Sequence, residues 1–557
     1  MGHDSESKTS SPPLEQLNTT SNDEYQAQQD ANDLVTLGHR EELTRKFSPW
    51  SLFFLAFSVL GTWSTFAQGL ASGITNGGPV AILWGLVLVT VCNLCVALSM
   101  GELCSAMPTA LGQGYWVSRL WPGSWGRFVS YMCVWINTFG WWTISASQNA
   151  FMTEFILSMK LLFDPDWTPG NEGWVKFLLY VGVTAVLTLL NQVACRRDAV
   201  LPMFNNFVGI CFIALFFVFC LALLISVGVK DDLHYKSASF VFGQWYNQTG
   251  WNDGVTWFMG LVQAAYGLTA FDAAVHMVEE IPAPKKNAPR VMWLSVTLGA
   301  ISGFIFMVVC LFTTQDLEIL LSGPIGIPFV DLLNQVTGLT CATVLLSFFI
   351  MNGMGQAASL MTTGSRLTWG FARDGGLPWS NYFSYVNKTW KVPIRALWLQ
   401  GGIIALVGVL YTFSDFVLGA ILGVATIALT VSYGIPIAVL LWVGRDKLPH
   451  GGQFKLGRLG PIMNWVAIVY CIVSSIFFFF PSSPNPTGSS MNYSIAVFGI
   501  MIIVALGFWF VKGRKSFLGF VGHGADVRAV GVVQPGLINQ EHSKSDIVDR
   551  SEAGASV

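Results

Sequence analysis

Charged residues are scarce in this sequence. Only 11% of its 557 residues are Asp, Glu, Lys or Arg, whereas 53% are hydrophobic. Soluble domains carry about 25% charged residues, so the composition excludes an ordinary soluble protein and predicts a chain that lies mainly in a lipid bilayer. The formal net charge is −2, which gives no electrostatic basis for nucleic acid binding.

Signatures of nucleotide and metal hydrolases are also missing. The nearest approach to a phosphate-binding G-x-x-x-x-G-K-[ST] loop is Gly452–Gly457, which is followed by Arg458 instead of lysine. No H-E-x-x-H pattern occurs. We therefore predict neither an ATP-driven pump nor an enzyme, and we assign no catalytic residue, cofactor or metal site. An ion channel is not excluded by these absences.

The ten cysteines do not form a recognisable disulfide or metal framework. All lie in or beside apolar runs, and the C-x-x-C pair Cys92 and Cys95 has no second pair to complete a metal site. We interpret them as small packing residues.

Apolar runs of membrane-spanning length recur twelve times along the chain. They predict an all-α polytopic membrane protein with spans at about 50–75, 79–104, 126–158, 174–195, 201–228, 254–280, 291–313, 339–365, 394–412, 416–443, 462–481 and 492–511. Polar segments at 1–46 and 516–557 flank this region and are predicted to be disordered cytoplasmic tails. The twelve-span domain is 47–515.

Basic residues indicate the orientation of the spans. With twelve spans, nearly all Lys and Arg residues fall on the side of the two termini, and the opposite loops contain just Lys160, Lys176, Lys230 and Lys236. The positive-inside rule then places both termini in the cytoplasm. The plasma membrane is the expected location.

Two spans are poor uniform helices. The first contains Gly61, Thr62 and Ser64, and the sixth contains Gly260 and Gly267. Small and hydroxyl residues also serve ordinary helix packing, but the two spans are five apart. Spans 1–5 and 6–10 would then be inverted halves with broken helices at corresponding places, plus two peripheral helices.

The sixth span also carries ionisable residues. Asp272, His276 and Glu279 fall within about 60° of one another on a helix. Such groups are costly at membrane depth, so they face a bundle interior or a polar path. Asp272 is a candidate counter-charge or proton carrier, although a structural ion pair is equally consistent. Our candidates for coupling or gating are Asp272, His276, Glu279, Arg366, Arg373 and Glu102.

Three stretches carry a family resemblance: 101–116, 267–290 and 365–378. Together they resemble the amino acid–polyamine–organocation superfamily, and within it the fungal amino acid/choline permeases, including choline and GABA carriers. The resemblance implies twelve spans, a five-plus-five inverted repeat and a substrate site at broken spans one and six.

A quaternary ammonium has no N–H donor, so aromatic faces would have to hold it. Packing remains the alternative role for each ring. Our substrate-binding candidates are Trp63, Thr62, Ser64, Tyr266, Gly267, Phe271, Trp141, Trp142 and Asn352. We predict a proton-coupled importer of a small amine or amino acid that works by alternating access, with choline as the best candidate. Carriage of GABA, another amino acid or a polyamine, or a nutrient-sensing role on the same fold, are the alternatives.

Overall fold

The computed structural model describes residues 14–323, 325–412, 417–488 and 491–518. The predicted C-terminal tail lies outside this part of the chain from residue 519 onward, as does the start of the predicted N-terminal tail, residues 1–13.

Helices make up most of the described chain. In the first half they are α1 (Leu14–Thr36), α2 (Pro49–Leu60), α3 (Thr62–Gln68), α4 (Leu70–Thr75), α5 (Gly78–Ala106), α6 (Gln113–Leu120), α7 (Ser124–Phe163), α8 (Gly173–Ala194), α9 (Val200–Val229), α10 (Ala238–Gly243), α11 (Asp253–Gly267) and α12 (Ala273–His276). In the second half they are α13 (Pro284–Thr313), α14 (Leu317–Leu321), α15 (Pro328–Thr337), α16 (Leu339–Arg373), α17 (Ser380–Phe383), α18 (Ile394–Val407), α19 (Val417–Val443), α20 (Gly460–Phe477), α21 (Ser494–Phe508) and α22 (Arg514–Ser516). Short 3₁₀ turns at Thr168–Asn171, Val278–Glu280, Gly408–Thr412, Arg445–Lys447 and Gly457–Leu459, and a π turn at Trp509–Gly513, extend or connect them.

The twelve predicted spans all correspond to helical segments. Ten segments of the described chain are long and apolar enough to cross a membrane. The third span, α7, has 40 residues, but buried polar side chains reduce its hydropathy. The sixth is interrupted, which leaves α11 with 15 residues. The predicted all-α polytopic fold is confirmed.

The spans differ in how far the protein encloses them. Burial covers 89% of the most apolar window of the first span, but 33% for the span that contains α20 and 22% for the last. The interrupted first span is therefore central, and the last two spans are among the most exposed, together with α8, for which the share is 28%.

Two short strands connect the loops before the second and sixth spans. Strand β1 (Asn76–Gly77) pairs antiparallel with β2 (Tyr246–Asn247). Gly77 adopts φ 106°, a conformation that glycine reaches without steric cost. This ladder joins the end of the first span to the start of the sixth.

The N-terminal region differs from its prediction as a disordered tail. Residues 14–36 form α1, and Leu43 and Phe47 are 2% exposed. Tyr115 donates a hydrogen bond to the Leu37 carbonyl, and Lys46 pairs with Asp198 at 2.8 Å. Polar composition hid this order, because a few apolar residues and specific ion pairs dock the segment on the bundle.

Candidate functional site

The first span breaks at Gly61. This residue ends α2 and begins α3 with φ 53° and ψ 34°, a left-handed conformation that glycine tolerates best. A Cβ there would lie 1.7 Å from Gln356 Nε2. Gln356 therefore fills the space that the missing side chain leaves, and its Nε2 donates to the Val59 carbonyl at 3.4 Å.

The sixth span breaks without a glycine at the turning point. Helix α11 ends at Gly267, and α12 begins only at Ala273. Between them, Ala270 adopts φ 70°, which is uncommon for a residue with a Cβ. Its N–H donates to the Tyr433 hydroxyl at 3.2 Å, so span ten satisfies a backbone group that the broken helix leaves free.

The two interrupted spans touch each other. A Cβ on Gly267 would lie 2.6 Å from the Phe66 ring, and Gln263 Nε2 donates to the Phe66 carbonyl at 3.0 Å. Gly267 thus allows the close approach of α11 to α3. Its role in the described structure is helix packing.

Asp272 lies at the end of the break and is fully buried. Its Oδ1 accepts a hydrogen bond from Tyr433 Oη at 2.7 Å. Its Oδ2 accepts from Gln113 Nε2 at 2.9 Å and from Trp141 Nε1 at 3.2 Å, and lies 3.0 Å from His276 Nε2. Four side chains, from α6, α7, α12 and α19, thus place a polar atom against one carboxylate. A buried charge requires such polar partners.

His276 stands between two acceptors. Its Nδ1 lies 2.9 Å from the Ala110 carbonyl, while its Nε2 faces the Asp272 carboxylate. A neutral imidazole carries one N–H, so beside an ionised Asp272 it would leave one acceptor facing another. Asn137 Nδ2 also lies 3.4 Å from His276 Nε2 and can donate to that nitrogen when it carries no proton. His276 therefore lies between the Asp272 carboxylate, the Asn137 amide and the Ala110 carbonyl.

Two ion pairs continue from this pair toward the end of span six. Glu279 forms a bidentate pair with Arg373, at 2.9 and 3.0 Å, and accepts from the Ala110 N–H. Glu280 pairs with Arg366 at 2.7 Å. All four side chains are at most 10% exposed. Glu279, Arg366 and Arg373 are among the coupling or gating candidates, and the two pairs tie the sixth span to α16.

Asp374, the residue after α16, and His39 of the N-terminal segment both lie near the Glu279–Arg373 pair. His39 Nδ1 and Asp374 Oδ1 are 3.8 Å apart. Burial, reinforced by Glu279 and Glu42, raises the pKa of Asp374 to about 7, although Arg373 opposes the shift. Burial and Arg373 lower the pKa of His39 to about 3. The residue that docks the N-terminal segment here is thus a neutral histidine.

Trp63 occupies a different environment from the one predicted. It is fully buried, and its ring contacts are with phenylalanines of three other spans, Phe212, Phe219, Phe306 and Phe349, at centroid distances of 5.1 to 6.0 Å. The structure does not bring Trp63 together with Tyr266, Trp141 or Trp142. Its Nε1 has no hydrogen-bond partner in the described chain.

The other aromatic candidates divide into two groups. Phe271 packs on Tyr433 at 4.9 Å, and Trp141 meets His276 edge-on at 5.6 Å, so both line the surroundings of Asp272. Tyr266 Oη instead forms a hydrogen bond with Ser147 Oγ at 2.8 Å. Trp142 donates to Thr368 at 3.0 Å.

The small polar candidates lie apart from Asp272. Ser64 donates to the Gly61 carbonyl at 2.9 Å and so caps the break of span one. Thr62 Oγ1 and Asn352 Oδ1 are buried without a partner in the described chain. Glu102 pairs with Arg445 and accepts from the Leu456 N–H, which links α5 to the segment before α20.

Three residues outside our candidate set complete the site. Gln113 and Tyr433 bind Asp272, and Gln356 fills the break of span one. Each is a polar residue in or beside an apolar run, which is the one signal that the sequence offers. Many other residues share that signal.

Comparisons with known proteins agree with this architecture. The family model described as amino acid permease matches residues 47–506. The chain is 30% identical to a choline transporter of Saccharomyces cerevisiae over 490 residues, covering 88% of this chain and 85% of the relative. It is 34% identical to a putative amino acid/polyamine transporter of Macrophomina phaseolina over 455 residues (79% and 96%). It is also 28% identical to an amino-acid permease of Arabidopsis thaliana over 506 residues (87% and 95%).

Proposed function

Because this chain belongs to the amino acid permease family of the amino acid–polyamine–organocation superfamily, we propose that it imports a small amine or amino acid by proton-coupled alternating access, with choline as the best single candidate. The observation that supports this most directly is the buried Asp272–His276 pair at the break of span six.

The surroundings of Asp272 support binding of a cation. A carboxylate in a membrane interior attracts a positive charge, and the rings of Trp141, Phe271 and Tyr433 lie around it. Aromatic faces contribute about 0.5–2 kcal/mol each toward a quaternary ammonium. A relative named as a choline transporter supports the same substrate class.

The contacts of His276 support proton coupling. In this proposal the pair binds one extra proton while Asp272, His276 and the Ala110 carbonyl stay in place. A movement of α12 that separates His276 from Asp272 would remove the reason for holding that proton. Substrate-driven movement of span six would then release the proton on one side of the membrane.

Closure on the cytoplasmic side is the proposed role of the two ion pairs. Glu279–Arg373 and Glu280–Arg366 connect span six to α16. Both must separate before a path could open there. Import across the plasma membrane, with both termini cytoplasmic, is the direction we propose.

The test is uptake of labelled choline in a permease-deficient cell, with GABA and common amino acids as competitors and the external pH varied from about 5 to 8. We expect saturable, concentrative uptake that choline competes best and that a proton uncoupler abolishes. Better competition by GABA or an amino acid would replace choline as the substrate. Uptake that follows the gradient without accumulation would contradict active transport.

Nutrient sensing is the second candidate, and the docked N-terminal region is the observation that favours it. Asp33 pairs with Lys285 at 2.7 Å, and Asp30 accepts from the Ala283 N–H at the turn that follows span six. A movement of span six would therefore reach α1. Substrate binding without uptake by the purified protein in vesicles would support sensing over transport.

A further inference from the structure

A groove on the outer surface of the bundle has no part in the transport scheme. It lies between α17 and α18, has a volume of about 580 Å³, and shares no lining residue with the surroundings of Asp272. Its lining includes Tyr382, Arg395, Trp398, Gly402 and Leu406. Arg395 is the charged residue of this lining, and aromatic and apolar side chains surround it.

Arg395 is held in place without a counter-charge. Its guanidinium lies 4.3 Å from the centroid of the Tyr382 ring and 4.2 Å from that of Tyr385, and Nη1 donates to the Tyr382 carbonyl at 3.2 Å. In the part of the chain that the structure describes, the contacts of this guanidinium are with rings and a carbonyl, and none is an ion pair. A pre-oriented arginine of this kind suits a phosphate group.

Further positive charge surrounds the same end of the groove. Arg196 lies over the Trp390 ring at 5.2 Å, and Trp398 donates to Gln192 at 2.7 Å, so the end of α8 adjoins the loop before α18. Lys388 and Lys391 are exposed on that loop. No Asp or Glu occurs between residues 375 and 414. Asp198 is also at this end, where it pairs with Lys46, which donates to the Trp390 carbonyl. The basic residues outnumber it, so the net charge at this end is positive.

The length of the groove corresponds to one leaflet. Arg395 and Leu406 both lie in α18 and are eleven residue steps apart, about 16 Å at 1.5 Å per residue, which is about half of the roughly 30 Å hydrocarbon core. Gly402 forms an open part of the wall, because a Cβ there would meet nothing within 4 Å. Trp398 and Leu406 are 45% and 69% exposed. An acyl chain fits this apolar part.

From these contacts we infer that the groove binds an anionic phospholipid, with its phosphate on Arg395 and one acyl chain along Trp398, Gly402 and Leu406. The orientation proposed above places Arg395 at the cytoplasmic leaflet, which carries the anionic lipids. The inference rests on that orientation but not on the substrate or on proton coupling.

The test is native mass spectrometry of the purified full-length chain, incubated with equal amounts of phosphatidylserine and phosphatidylcholine. We expect retention of phosphatidylserine over phosphatidylcholine. Arg395→Gln should weaken that retention at least about fivefold, and Gly402→Leu should reduce it similarly by filling the groove without changing charge. Arg458→Gln and Gly507→Leu are matched controls, since both residues are exposed and a Cβ at Gly507 meets nothing within 4 Å.

A second measurement locates the lipid. Brominated phosphatidylserine should quench the wild-type tryptophan fluorescence more than that of Trp398→Phe, and Arg395→Gln should remove this difference. Equal retention of both lipids, or unchanged retention in Arg395→Gln and Gly402→Leu, would overturn the inference. So would a dimer that Gly402→Leu dissociates, because a second copy would then occupy the groove. Lipid retention does not depend on uptake, so failure here and failure of the transport proposal are separable.

Discussion

The two interrupted spans reach similar breaks by different means. Span one breaks at Gly61, where a glutamine side chain occupies the space and apolar helices enclose the rest. Span six breaks at Ala270, where a tyrosine hydroxyl holds the backbone and an ionised network follows. The comparison indicates that packing dominates at the break of span one, whereas hydrogen bonds and ion pairs dominate at the break of span six.

The largest expected effect is on uptake, from a substitution in span six. We predict that Asp272→Asn lowers concentrative uptake about 100-fold, because the variant loses the charge that four side chains surround and leaves His276 without its partner. Uptake against a gradient, normalised to surface expression, is the measurement. Asp446→Asn, in an exposed loop, is the control. Wild-type accumulation in Asp272→Asn would remove the residue from coupling.

The second prediction tests the packed break. Gly61→Ala should destabilise the protein by about 2–5 kcal/mol, since it combines left-handed strain with overpacking against Gln356. The thermal unfolding midpoint of the detergent-solubilised protein reports it. Gly61→Ala with Gln356→Ala should recover the packing part of the loss but not the strain. No recovery would mean that Gln356 does not fill the break.

The third prediction concerns pH at the end of the ionised network. The folded state binds the Asp374 proton more tightly than the unfolded chain does, because its pKa is about 7 instead of about 4. Stability from this group is therefore present at low pH and lost as the pH rises toward 7. His39, with its lowered pKa, acts in the opposite sense only below about pH 6.5.

Between about pH 6.5 and 7.5 the unfolding midpoint should thus fall, by an amount equivalent to up to about 1 kcal/mol. Arg373, Glu279 and Glu42 are the charged groups that act on Asp374. Asp374→Asn should flatten the fall. An equally steep pH profile in that variant would assign it to another group.

The smallest expected effect is at the break of span six. Ala270→Gly removes left-handed strain of about 1 kcal/mol but adds flexibility to the unfolded chain at a cost of about 0.5–1 kcal/mol. We expect a net change within about 0.5 kcal/mol and normal uptake. Tyr433→Phe, which removes the hydroxyl that binds Ala270 and Asp272, should be clearly more damaging. A larger loss in Ala270→Gly would show that its side chain, not the hydroxyl, sets the turn.

The sequence predicted the membrane-spanning helices better than the side-chain contacts between them. Hydropathy and spacing are local properties, so they sufficed for twelve spans and for the polar stripe from Asp272 to Glu279. They do not report which side chains meet across the bundle. Trp63 was therefore expected beside Tyr266, while four phenylalanines surround it, and Gln113 and Tyr433 were not among the candidates. Glu279 and Arg373 were both among the candidates, and they pair because a buried carboxylate needs a cation.

Strands β1 and β2 add a mechanical consequence to the contrast between the two breaks. Asn76 faces Asn247 across the ladder, only a few residues beyond α4 and before α11. The ladder thereby connects α4, the last helix of span one, to α11, the first helix of span six. We therefore expect these two halves to tilt together, with the hinges for opening that side at the breaks, Gly61 and Ala270.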